Sequence, residues 1–136
     1  MMLCTRLDIA YAVSVLSRYF NDPTEADWIA AKRVLRYLKG TANYGLHLGN
    51  TDEFKVEGFT DADYEGDRTE RKSTSAYVFQ IGKESTVSWA CNKQNTVALS
   101  TTESEYMVAA KALCEGIWIR NLLEEIDRNS SAEHIT

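Results

Sequence analysis

Apolar positions in "DIAYAVSVLSRYF" (8–20) recur at helical spacing, and "NDP" then stops the run, which predicts a helix. "TEADWIAAKRVLRYLKG" (24–40) predicts a clearer one. Thr24 stands at its cap, Asp27 follows three residues on as in a capping box, and Gly40 closes it. Trp28, Ala31, Leu35 and Leu38 form an apolar stripe along it, while Lys32, Arg36 and Lys39 form a basic one at i, i+4 and i+7. After "TANYG" the period shortens to two. "GLHLG" (45–49) reads as a short strand. "FKVEGFTD" (54–61) alternates, with Phe54, Val56 and Gly58 on one face and Lys55, Glu57 and Phe59 on the other. "STSAYVFQIG" (73–82) and "STVSWACN" (85–92) flank a turn at "GKES" and read as a hairpin, and "TVALS" (96–100) as an extended lead-in. "TTESEYMVAAKALCEGIWIRNLLEEI" (101–126) is a long helix, and the polar tail from Asp127 is expected to fray. The order is two helices, three or four antiparallel strands and one long helix, an α/β chain of α+β-like order.

A chain of 136 residues holds one ordinary domain or parts of two. Its 44% hydrophobic and 26% charged residues are globular values. No stretch is apolar for long enough to predict a membrane span, and "MMLCTRLDIAYAV" lacks the sections of a signal peptide. Cys4, Cys91 and Cys114 are widely spaced and read as reduced thiols of an intracellular protein. The net charge of −5 argues against a generally sticky nucleic-acid binder, but it is uneven. Residues 1–49 balance at +2 and the remainder at −7, which suggests two regions with different jobs.

The acids concentrate in "GFTDADYEGD", where Asp61, Asp63, Glu65 and Asp67 occupy alternate positions. Like charges this close oppose ionisation unless a cation or a turn separates them. An EF-hand reading fails because Lys72 stands at the twelfth loop position, where calcium needs a bidentate Glu, and a strand precedes the loop where a helix is required. A solvated turn balanced by Arg68, Arg71 and Lys72 suits Glu65, Asp67 and Glu70. It does not suit Asp61, which follows an apolar-rich strand. A metal site for phosphoryl transfer needs carboxylates from separate elements, because two Mg²⁺ ions hold the attacking and leaving oxygens together. The long helix offers Glu103 and Glu105. Glu103 completes a Ser100-x-x-Glu103 capping box, which explains it structurally. Glu105 lies in line with Ala109, Ala112 and Gly116, a strip small enough to pack closely on a sheet. The pair Asp61 and Glu105 is therefore the candidate site.

Three stretches resemble the C-terminal part of Pol polyproteins from copia-type LTR retrotransposons. They are "TRLDIAYAVSVLSRYFNDPTEADWIAAKRVLRYLKGTANYGL", "FTDADYEGDRTERKSTSAYVF" and "VSWACNKQNTVALSTTESEYMVAAKALCEGIWIRNLLEE". Together they cover about residues 4–126 in order. The resemblance implies a reverse transcriptase thumb or connection-like helical segment over 1–44. Over 45–136 it implies a ribonuclease H-like domain that stops before its later strands. Asp61 in "FTDAD" matches the family's first catalytic Asp, and Glu105 in "ESEY" its catalytic Glu. The family uses these with Mg²⁺, or Mn²⁺, to cut the RNA strand of an RNA–DNA hybrid. The implied partners are that hybrid or a template–primer duplex and the rest of the polyprotein, with no membrane and no small-molecule cofactor. The implied location is the cytoplasm, in a virus-like particle. Lys32, Arg36 and Lys39, whose commoner meaning is a solvated face, then suit the phosphates of a bound duplex.

The pattern also has departures. Leu7 stands where the family usually has Pro, Ala76 where Gly is usual and Asn95 where Pro is common. The family's third and fourth acids follow the long helix, and neither occurs by Thr136. The expectation is a fragment inactive by itself, with its first strand as an unpaired edge open to another chain. The alternatives are a non-enzymatic module that binds nucleic acid or protein, and a nuclease completed by a segment supplied from elsewhere.

Overall fold

The computed structural model describes residues 5–49, 55–67, 70–82 and 84–133, with 129–133 described by backbone alone. A 3-10 turn at Leu7–Ile9 leads into α1 (Ala10–Ser17) and α2 (Glu25–Gly40). β1 (Val56–Asp63), β2 (Thr74–Ile81), β3 (Ser85–Lys93) and α3 (Thr101–Glu133) follow. The fold is mixed α/β, with the element order read from the sequence.

α2 begins where its cap requires. The Thr24 hydroxyl accepts from the Asp27 amide at 3.3 Å, and the Asp27 carboxylate accepts from the Thr24 amide at 2.9 Å. Its other end is tied to the start of the chain. Buried Arg6 donates to Asp8 at 3.0 and 2.8 Å, and to the Thr41 carbonyl and hydroxyl at 3.1 and 2.7 Å. The Tyr37 hydroxyl donates to the same Asp8 at 2.8 Å, and the Arg6 guanidinium stands 5.6 Å from the Tyr37 ring centroid. The Arg6 bonds chiefly, with help from Tyr37, hold the Asp8 carboxyl at about 2, below its ordinary range.

The sheet is antiparallel throughout, in the order β1-β2-β3. β1 and β2 pair without interruption from Val56 opposite Ile81 to Asp63 opposite Thr74. α3 covers one face. Phe79, Ala112 and Ile119 make its core, with Val56, Tyr77 and Leu123 packed around them. Two glycines admit the Phe79 ring: a Cβ on Gly58 would lie 2.6 Å from it, and one on Gly116 would lie 3.1 Å from it. Ser88 donates to Glu115 at 2.7 Å, and the Gln94 amide donates to Ser75 and to the Ser104 carbonyl, pinning β3 to the same helix. α1 lies on the opposite face, against β3, where Arg18 donates to Thr74 at 2.9 Å. Burial beneath it pushes the Cys91 thiol up.

Several expectations change. Residues 45–49 form no strand, because an extended segment without a ladder leaves its backbone unpaired; the Gly49 carbonyl instead accepts from the Ser85 hydroxyl. Residues 96–100 form no strand either. β1 extends two residues past Asp61, while Phe54 and Arg68 lie outside the described residues. α1 stops at Ser17, short of the expected 20. α3 passes the expected end at 126 and continues to Glu133, since no Gly or Pro after Gly116 interrupts a helix already nucleated. The apolar stripe of α2 is only partly covered: Ala31 and Leu38 are half-buried, but Trp28 and Leu35 are exposed because the eight-residue α1 is too short to cover them.

Candidate metal and nucleic-acid sites

The four alternating acids have four different environments. Asp61 sits in β1 opposite Ala76, and its side chain is exposed. Gly58 faces the Phe79 ring under α3, so strand alternation turns Asp61 to the other face, the one that carries α1. Asp63 ends the strand with its carboxylate folded back over Gly66, in the space a Cβ there would occupy. Glu65 has φ 52° and pairs with Arg71 at 2.5 Å, which holds its carboxyl below the ordinary range. Asp67 corrects the sequence reading. It is 5% exposed, not solvated, and lies 3.0 Å from Lys93 and 3.9 Å from Arg18. Lys93 also reaches Glu70 at 2.9 Å, which Lys72 shares at 2.6 Å. Bonds to Glu70 and Asp67 keep the Lys93 ammonium charged by raising its pKa.

This network explains why the acids can crowd together. The last of the four is neutralised by cations from α1 and β3, and the third by Arg71, leaving Asp61 and Asp63 as the exposed anions. No local signal marked Asp67, because its partners lie 26 and 49 residues away in the chain.

Glu103 and Glu105 separate as helix geometry requires. The Ser100 hydroxyl accepts from the Glu103 amide at 3.1 Å, and the Glu103 carboxylate accepts from the Leu99 amide at 2.6 Å, one residue before the one a capping box uses. The buried line of α3 runs through Ser104, Val108, Ala112 and Ile119, with Gly116 against Phe79. Glu105 is half-buried on the flank of that line, and Ala109, expected in the packed strip, is exposed. The start of α3 stands near the end of β1: the Tyr64 phenol is pushed up by burial first, then by Glu65, with Glu103 adding to the effect. Among the described residues no three His, Cys, Asp or Glu side chains gather as a metal cluster. Exposed Asp61 with half-buried Glu105 is a hard oxygen donor set, and Mg²⁺ keeps several waters beside one or two carboxylates, so the chemistry of the pair fits that ion.

On α2, Lys32, Arg36 and Lys39 are all exposed, as is Arg33, and among the described residues none of them pairs with an acid. The Lys32 ammonium lies 5.3 Å from the Trp28 ring centroid. Where the helix meets α1, Val13, Leu16, Phe20, Pro23, Trp28 and Ala31 line an open groove of about 620 Å³.

No family model and no solved structure matches the chain. It is 47% identical over 119 residues to the secreted RxLR effector protein 161 of Plasmopara viticola, covering 88% of this chain and 83% of that protein. It is 44% identical over 125 residues to the retrovirus-related Pol polyprotein from transposon TNT 1-94 of Nicotiana tabacum, covering 92% of this chain and 9% of that protein. It is 41% identical over 122 residues to that from transposon RE2 of Arabidopsis thaliana, covering 90% and 8%. The chain thus spans most of the first relative but under a tenth of these two polyproteins. Matched along nearly its whole length by these Pol sequences, the chain belongs to the Pol family of copia-type retrotransposons.

Proposed function

We propose that this stretch of Pol carries the first half of a Mg²⁺-dependent ribonuclease H-like centre that hydrolyses the RNA strand of RNA–DNA hybrids. As an isolated chain it is inactive. The observation that carries this reading is the juxtaposition of β1 and α3: an exposed Asp61 near the end of one and a half-buried Glu105 in the first turns of the other. Because Asp61 faces away from the layer that α3 covers, the two carboxylates share an ion only around the open edge of β1, not across the sheet–helix interface. Mg²⁺ held there would polarise a phosphoryl oxygen and lower the pKa of a bound water. The chain's own contribution is to present the carboxylates on regular elements, with Phe79 locking α3 to the sheet. Asp67 anchors the loop that leaves Asp63. Asp63, turned over Gly66, is available as an assisting acid.

The exposed cations of α2 support a second role, the tracking of nucleic-acid phosphates by Lys32, Arg36 and Lys39. The non-enzymatic alternative is an interaction module that works through the β1 edge or α2 without hydrolysis. Titration with Mn²⁺ separates these readings. Paramagnetic broadening of backbone resonances should centre on Asp61 and Glu105 and disappear in Asp61→Asn. Broadening elsewhere, or none at millimolar metal, would remove the pair. Mg²⁺-dependent hybrid cleavage by the wild-type chain that Asp61→Asn abolishes would overturn the inactivity of the fragment.

A further inference from the structure

We infer that the groove between α1 and α2 receives an unpaired nucleobase, so that this face binds single-stranded nucleic acid in preference to a blunt duplex. This role rests on the proposed nucleic-acid binding by α2 and names the form of partner that the surface takes. Trp28, Lys32, Arg36 and Lys39 lie within one narrow sector of the helix, over about 16 Å of its length. At the head of that line the groove begins, and its aromatic lining is open: Phe20 is 84% exposed and Trp28 is 56% exposed, with Tyr19 beside them. The groove is largely apolar, but Glu25 and Asp27 are among its lining residues. Those acids repel a phosphate and leave an uncharged ring as the group that enters. The phosphates are drawn the other way, along Lys32, Arg36 and Lys39, which carry no acidic partner among the described residues. Charge and shape together describe a backbone track that ends in an aromatic platform, the arrangement by which single strands are held without sequence preference. In a blunt duplex every base is paired and stacked, so none can swing into the groove. An apolar helix of another protein would fill the groove but leave four cations unmatched, which is why a nucleic acid is the better occupant.

The test is fluorescence anisotropy of the full 136-residue chain with a labelled twelve-nucleotide oligouridylate, a deoxythymidylate of the same length and a blunt RNA–DNA hybrid, without divalent metal. The single strands should bind at least several-fold tighter than the hybrid. Trp28→Ala and Phe20→Ala, at exposed positions that circular dichroism can show to be folded, should each weaken single-strand binding by about fivefold or more. Replacing Lys32, Arg36 and Lys39 by Ala should flatten the salt dependence, by about 0.7 in log–log slope for each phosphate no longer held. Equal affinity for hybrid and single strands, or binding indifferent to Trp28→Ala, would overturn the inference. So would self-association that Trp28→Ala abolishes without any nucleic-acid binding. Anisotropy is read without divalent metal and the Mn²⁺ broadening without nucleic acid, so failure of the metal centre and failure of this surface are distinguishable.

Discussion

Two glycines touch the same phenylalanine, and their surroundings give them opposite costs. Adding a methyl to Gly58 places it 2.6 Å from Phe79 Cε1 and 3.1 Å from Cδ1, inside contact distance of a ring that is itself 7% exposed and held under α3. Overpacking of this kind costs about 1–3 kcal/mol. Alanine recovers about 0.5–1 kcal/mol of the backbone entropy that glycine loses in a strand. Gly58→Ala should therefore destabilise the chain by about 1–2 kcal/mol. At Gly116 the nearest ring atoms are 3.1 and 3.3 Å away, a contact that a shift of a few tenths of an ångström relieves. Alanine there gains about 1 kcal/mol of helix propensity, so Gly116→Ala should come out close to neutral. Urea unfolding reads both, and Gly58→Ala should lower the midpoint by roughly 0.5–1 M at unchanged slope. The control is Phe79→Leu: in that background Gly58→Ala should lose much of its cost, giving a coupling of about 0.5 kcal/mol or more. A Gly58→Ala chain as stable as the wild type, or a larger loss at Gly116 than at Gly58, would refute the ring clamp. The clamp matters for function because it sets how α3 lies on the sheet, and so where Glu105 is presented.

Asp67→Ala should cost about 2–3 kcal/mol in the same assay, since it takes the carboxylate from Arg18, whose side chain is 10% exposed, and leaves Lys93 with Glu70 alone; an effect below the error would show that both cations are solvated without it. Asp8, with its pKa depressed to about 2, contributes stability that is fully present above pH 4 and is lost as pH falls from 4 toward 2. Because its side chain is one-third exposed, solvent screening reduces that contribution to about 1 kcal/mol, and Asp8→Asn should remove this part of the acid sensitivity. Thr24→Ala should cost about 1 kcal/mol through loss of the cap, and Thr24→Ser should restore most of it, both read by urea unfolding.

Local signals carried much of this fold. The capping box of Thr24 and Asp27 lies within four residues, so its hydrogen bonds are legible in the chain and appear as read. Alternation in β1 placed Gly58 and Phe59 on opposite faces, and the structure sets Gly58 against the Phe79 ring on the face α3 covers while Phe59 points to solvent on the other. The "GLHLG" strand failed because a strand exists only with a neighbour, and sequence period does not supply one. The fourth acid departs from the sequence expectation for a similar reason: Asp67 looks like Glu65 in composition, and only its distant partners make it a buried ion.

The candidate site divides along the same line. Residue type and spacing singled out Asp61 and Glu105 and separated Glu105 from the capping Glu103, because both depend on periods of two and of 3.6 that the chain itself carries. How those carboxylates stand to each other depended on the pairing of β1 with β2 and on the face that α3 chose. Those are long-range contacts set by Phe79, Gly58 and Gly116, so tertiary packing alone decided that Asp61 lies on the sheet face opposite the one α3 covers.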